Sequence, residues 1–137
     1  MPAIFDLIAI VALGFCAALG LGALFAPKWA AGVVRLVPDP DKPGGFSEFR
    51  ATYGGLLLLI HLSALILMLQ ANLGIAYKVI ALFPIAMGWM GAGMGRLLSL
   101  VLDKNENREN GLIPVWIPLE LALGFAILAP AFGLQSL

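Results

Sequence analysis

The sequence predicts an all-α integral membrane protein, a four-transmembrane-helix bundle with one short interfacial helix, and three observations carry that prediction. First, 61% of the residues are hydrophobic and 12% charged, against roughly 45–50% and about 25% in soluble globular domains. A soluble domain of 137 residues needs far more polar surface to stay dispersed. Second, the apolar residues are gathered into four runs, each near the ~20 residues a helix needs to cross about 30 Å of hydrocarbon. Third, the connections between the runs are short and polar.

The first span covers about residues 4–25 and is stopped by Pro27. Met1 to Phe5 carries no Lys or Arg, so the segment reads as an anchor rather than a cleaved signal. Residues 27–37 follow as the interfacial helix, with Trp29, Val33, Leu36 and Val37 on one face and Lys28 and Arg35 on the other. Pro38-Asp39-Pro40-Asp41-Lys42-Pro43-Gly44-Gly45 makes a stiff surface turn. Ser47 is a good N-cap for the second span, about residues 47–71. Asn72 to Gly74 is a tight turn into the third span, residues 75–102, which Pro84 kinks by depriving the Ile80 carbonyl of its donor. Asp103 to Gly111 is a charged loop, and the fourth span, about residues 113–134, contains Pro118 and Pro130. The whole is one membrane domain.

Basic residues are retained on the cytoplasmic side of a membrane protein. Alternating spans put Lys28, Arg35, Lys42, Arg50, Arg96, Lys104 and Arg108 on one side and Lys78 alone on the other. Both termini are therefore expected on the non-cytoplasmic side of a multi-pass protein. Trp29, Tyr53 and Trp116 match aromatic anchors at the cytoplasmic interface, and Tyr77 at the opposite one.

Several classes are excluded or left without support. The formal net charge is zero, which gives no argument for a nucleic-acid partner. The single cysteine, Cys16, allows no intramolecular disulfide and no multi-cysteine metal site. Asp103-Lys104-Asn105-Glu106-Asn107 opens like a calcium loop, but Arg108 replaces the required glycine and Pro114 the final glutamate. No P-loop, dinucleotide fingerprint or nucleophile elbow occurs. No metal and no cofactor is expected.

An Arg or Asp at the centre of a membrane helix costs about 2.5–3.5 kcal/mol on insertion scales, so ionisable residues inside the spans are the candidates for function. They are Glu48, Arg50, His61, Arg96 and Glu120, with Tyr53 beside the first two. Arg96 and Glu120 lie at comparable depth on consecutive spans and are natural partners, each favoured by its helix dipole. Arg50 sits at the positive end of its own helix and needs a carboxylate, Glu120 or Glu48. His61 continues the stripe of Arg50, Gly54, Leu57, Ala64 and Met68 to a point near the midplane. Gly88, Gly91, Ala92, Gly95 and Ser99 share about 100° of arc on the third helix, a pattern that brings helices close or lines a slot for a lipid tail. Gly14, Ala18 and Gly22 repeat the spacing on the first.

Glu48-Phe49-Arg50-Ala51-Thr52-Tyr53-Gly54-Gly55 and Gly93-Met94-Gly95-Arg96-Leu97-Leu98-Ser99-Leu100 resemble a family of small four-span bacterial inner-membrane proteins of unknown function. The resemblance covers nearly the whole chain. It implies a four-helix bundle in a bacterial inner membrane and brings no assigned reaction.

Three functions compete. An accessory subunit of a membrane complex, or a binder of lipid or another apolar small molecule, accounts for the short loops and small faces. Its partners are membrane lipids, another membrane protein or further copies of the chain. An oligomeric small-solute transporter would line a path with Arg96, Glu120 and His61, yet the outer half beyond His61 offers only Gln70 and Asn72. A lipid- or isoprenoid-modifying enzyme would use Glu120 or His61 as acid or base.

Overall fold

The computed structural model describes residues 2–36, 41, 45–102 and 113–133, and these are helical or in short turns, with no strand among them. The loop Asp103 to Gly111 and the Pro38–Gly44 turn, Asp41 apart, lie outside the described residues. The elements are α1 (Pro2–Phe25), α2 (Pro27–Val34), α3 (Gly45–Glu48), a π-helical segment π1 (Phe49–Leu56), α4 (Leu57–Met68), α5 (Ile75–Leu102), α6 (Ile113–Ile127) and α7 (Pro130–Gly133). Three helical stretches are long and apolar enough to cross a membrane: Ile4–Phe25, Phe46–Met68 and Ile75–Leu102.

The expected fourth span is not one helix. It divides into α6 and α7, and its apolar stretch Val115–Ile127 is shorter than the other three. Pro130 has no N–H to offer the carbonyl of Ala126, and its ring crowds that carbonyl. The chain instead tightens, with the Ala129 N–H donating to the Ala126 carbonyl at 3.2 Å and the Ala131 N–H to that of Leu128 at 2.9 Å. Pro84, by contrast, is carried inside α5 without ending it.

Two further boundaries move. The interfacial helix ends at Val34 rather than at residue 37, because Arg35 adopts a left-handed conformation (φ 60°, ψ 28°) and turns its N–H back to the Ala31 carbonyl. The Leu36 N–H reaches the same carbonyl at 3.1 Å, so Leu36 leaves the apolar face expected for it. Ser47 lies inside α3, which begins at Gly45, and is not the N-cap.

The chain forms two compact units, Leu13–Gln70 and Met1–Ala12 with Ala71–Leu137, and α1 contributes to both. In the first, α1 meets π1 and α4 backbone to backbone. A Cβ on Gly20 would stand 2.5 Å from the Leu58 nitrogen, and one on Gly54 2.8 Å from the Leu24 Cα. Only glycine permits that approach from both sides. Gly22 takes the Trp29 ring against it, at 3.0 Å from where its Cβ would be. Ala23, Ala30, Ala31 and Phe49 make a buried cluster, with Val34, Phe46 and Tyr53 packed around it.

In the second unit α5 runs antiparallel to α6 and α7. Gly93 packs on Leu121 and the Ile117 carbonyl, Gly124 on Met90 and the Ala86 carbonyl, and Gly133 on Ile75. Contacts thus extend along α5 from Ile75 to Arg96, about 30 Å at the α-helical rise. Near the start of α5, Lys78 Nζ donates to Asp6 Oδ2 at 2.7 Å, and the Phe5 and Phe132 rings lie 6.3 Å apart at 47°.

Candidate functional site

The strongest candidate is built on α5 and α6, where Gly93 has no side chain to hold Leu121 away and the two helices close together one turn from Arg96. Arg96 Nε lies 2.8 Å from Glu120 Oε1 and 2.9 Å from Oε2, so one N–H is shared between both carboxylate oxygens. The side chains are unequally covered: Glu120 is 6% exposed and Arg96 35%. Glu120 is therefore a buried carboxylate whose partner among the described residues is one guanidinium, on a side chain that stays partly accessible. Arg96 lies six residues before the C-terminus of α5 and Glu120 at the middle of α6, both beyond the terminal turn in which a helix dipole acts, so the pair rests on its own charges. Trp116 lies one turn before Glu120 on the same face of α6 and is half-buried.

Among the described residues, Arg50 does not take a carboxylate. Its Nη1 donates to the carbonyl of Leu24, in the last turn of α1. The physical reason is that the last carbonyls of α1 lack intrahelical donors and carry the negative end of its dipole, and Pro27 removes one more N–H from that region. A cation capping them replaces the ion pair expected from the sequence. Arg50 and Glu48 are both exposed, and Tyr53 is half-buried with its ring stacked on Phe49, centroids 5.2 Å apart and 25° between planes.

His61 is buried, and its Nδ1 lies 2.6 Å from the Leu57 carbonyl, one turn back on the same helix. A carbonyl only accepts, so Nδ1 carries the proton and donates. The stripe is partly as expected: Gly54, His61, Ala64 and Met68 are buried and Leu57 half-buried, whereas Arg50 is not on the buried face. The π-helical turns between residues 49 and 56 shift the angular register, so an α-helical period carried back from His61 misplaces residue 50.

The small residues of α5 point elsewhere than to α6. A Cβ on Gly88, Gly91 or Gly95 would meet no atom within 4 Å, Ala92 is exposed and Ser99 half-buried. Close packing within this unit uses Gly93 and Gly124 instead. On α1, similarly, Gly14 faces open space and Gly20 makes the tight crossing.

Sequence reasoning passed over Asp6. It is joined to Lys78 with side chains 26% and 12% exposed, and its Oδ1 is buried with no hydrogen-bond partner among the described residues. Opposite charges near the start of the first and third apolar runs were the available signal.

A family model described as Domain of unknown function (DUF4345) matches residues 4–130. No curated protein and no solved structure matches the chain.

Proposed function

The chain belongs to the DUF4345 family, a family without an assigned activity, and from that premise we propose that it is a multi-pass integral membrane protein that binds lipid or another apolar small molecule. The observation that carries the reading is the Arg96–Glu120 pair, 2.8 Å apart within two apolar helices and with the arginine only partly covered. Replacing a buried ion pair by apolar side chains of similar volume is often neutral or stabilising by about 1–4 kcal/mol. A pair used for packing alone has little to recommend it. An arginine with an open edge near a membrane surface has a ready use in holding a polar headgroup while the tail stays in hydrocarbon.

In this reading α6 and α7 together make the fourth crossing. Their contacts with α5 from Ile75 to Arg96 follow it for about the thickness of a bilayer core. Four crossings and the bias of Lys and Arg then put both termini on the non-cytoplasmic side. The sequence resemblance supports a bacterial inner membrane as the setting. The open strip of Gly88, Gly91, Ala92 and Gly95 offers a shallow bed for an acyl or isoprenoid tail leading away from Arg96.

A second reading, an accessory subunit of a membrane complex, is favoured by the same open strip, because glycines with room for a Cβ among the described residues suit close approach by another helix. Native mass spectrometry after gentle extraction from source membranes separates the two. A lipid or apolar molecule released from the protein at stoichiometric amount is the expected result. A stoichiometric partner protein with no small molecule bound would overturn the binder reading in favour of the subunit.

A further inference from the structure

We propose that the Arg96 guanidinium is a preorganised receptor for a two-oxygen anionic headgroup, a phosphate carried by an amphiphile; the inference rests on the lipid-binder reading and names its ligand class. The geometry sets this apart from an arginine merely extended to the surface. Glu120 engages Nε with both of its oxygens, which fixes the guanidinium plane. Among the described residues, Nη1 and Nη2 donate to no protein group. Four N–H donors therefore remain, and the two at the end of the guanidinium, one from each Nη, form the fork that matches a phosphate bidentately and that a lysine cannot reproduce.

Depth agrees with that ligand. Arg96 precedes the end of α5 at Leu102 by six residues, roughly 9 Å along the helix. A guanidinium at that depth, with its outer edge turned to the surface, meets lipid phosphates rather than acyl chains. The carboxylate behind it serves orientation, since Glu120 is buried and both of its oxygens accept from Nε. Glu120 is thus a positioning residue, and Arg96 the group that touches the ligand.

The test compares two lipids that differ only in the phosphate. Purified protein is exposed to equal amounts of phosphatidic acid and diacylglycerol with identical acyl chains, and the retained lipids are weighed by native mass spectrometry, with folding checked by circular dichroism. The wild type is expected to keep phosphatidic acid over diacylglycerol by about tenfold, and Arg96→Lys, which keeps the charge but not the fork, to bring the two close to parity. Lys28→Gln, at an exposed position on α2, leaves the preference in place, which separates a site from general attraction to basic residues.

Inorganic phosphate added to the wild type distinguishes the source of the anion. Displacement of phosphatidic acid only at large excess assigns the fork to lipid, whereas displacement at equal concentration assigns the same chemistry to a free phosphate. An unchanged preference in Arg96→Lys overturns the proposal and leaves the binder reading standing. Retention of neither lipid by the wild type overturns both. Should Arg96→Lys fail to fold, the wild-type preference and its response to inorganic phosphate still decide: no preference for phosphatidic acid contradicts the fork.

Discussion

Gly20→Ala and Gly54→Ala are expected to drive α1 off the second span, each at a cost of about 3 kcal/mol, the upper end for overpacking. The added methyl group has nowhere to go. At Gly20 it would stand 2.5 Å from the Leu58 nitrogen and 2.8 Å from its Cα, and at Gly54 2.8 and 2.9 Å from the Leu24 Cα and nitrogen. These are backbone atoms, which cannot swing aside as the end of a long side chain can, so the two helices must part. Parting them also withdraws the Leu24 carbonyl from Arg50. Gly14→Ala and Gly88→Ala are the controls, because nothing lies within 4 Å of either position, and alanine there gains up to about 1 kcal/mol of helix propensity. Denaturation of the purified protein in detergent micelles, followed by circular dichroism, checks this. Coincident curves for Gly54→Ala and Gly88→Ala would remove the close crossing from the account.

The second large effect concerns the charged pair. Arg96→Met strands the buried Glu120 carboxylate and is expected to cost about 3–5 kcal/mol. Glu120→Met is milder, because Arg96 is 35% exposed on its side chain and can turn its charge outward. The double variant Arg96→Met with Glu120→Met removes both charges and recovers most of the loss, so it is more stable than Arg96→Met alone. The same denaturation measurement reads all three. A double variant whose loss equals the sum of the two single losses would mean that the two residues act independently and that the short distance between them has no energetic content.

Arg96 and Glu120 were legible as partners because two opposite charges at equal depth on consecutive apolar helices have few other ways to be compensated. Arg50 was not, since its partner is a main-chain carbonyl at the end of α1, and no residue type announces that; the only hint is Pro27, which cannot supply an N–H there. The π-helical turns from Phe49 to Leu56 escaped for a related reason. Hydrophobic periodicity assumes one fixed angle per residue, and the segment that departs from it contains Gly54 and Gly55, which leave the pattern weak where it matters.

The glycines give the clearest case of spacing without address. Gly88, Gly91 and Gly95 have the regular pattern of a packing face, yet a Cβ on any of them would meet nothing among the described residues, while Gly93, set between them, takes Leu121 against its backbone. Which face of a membrane helix meets its neighbour is decided by the partner's side chains as well, and one helix's sequence does not contain them. Pro130 shows the opposite limit. Its effect was predictable from covalent structure, yet hydropathy alone joins residues 113–134 into one span because proline interrupts hydrogen bonding without interrupting apolarity.

Reporter fusions along the chain test whether the membrane is crossed four times, as proposed. Fusions after residues 42 and 108 are expected to report the cytoplasm, and fusions after residue 72 and at the C-terminus the opposite side. Reporters after residues 42 and 108 on different sides of the membrane would contradict the account.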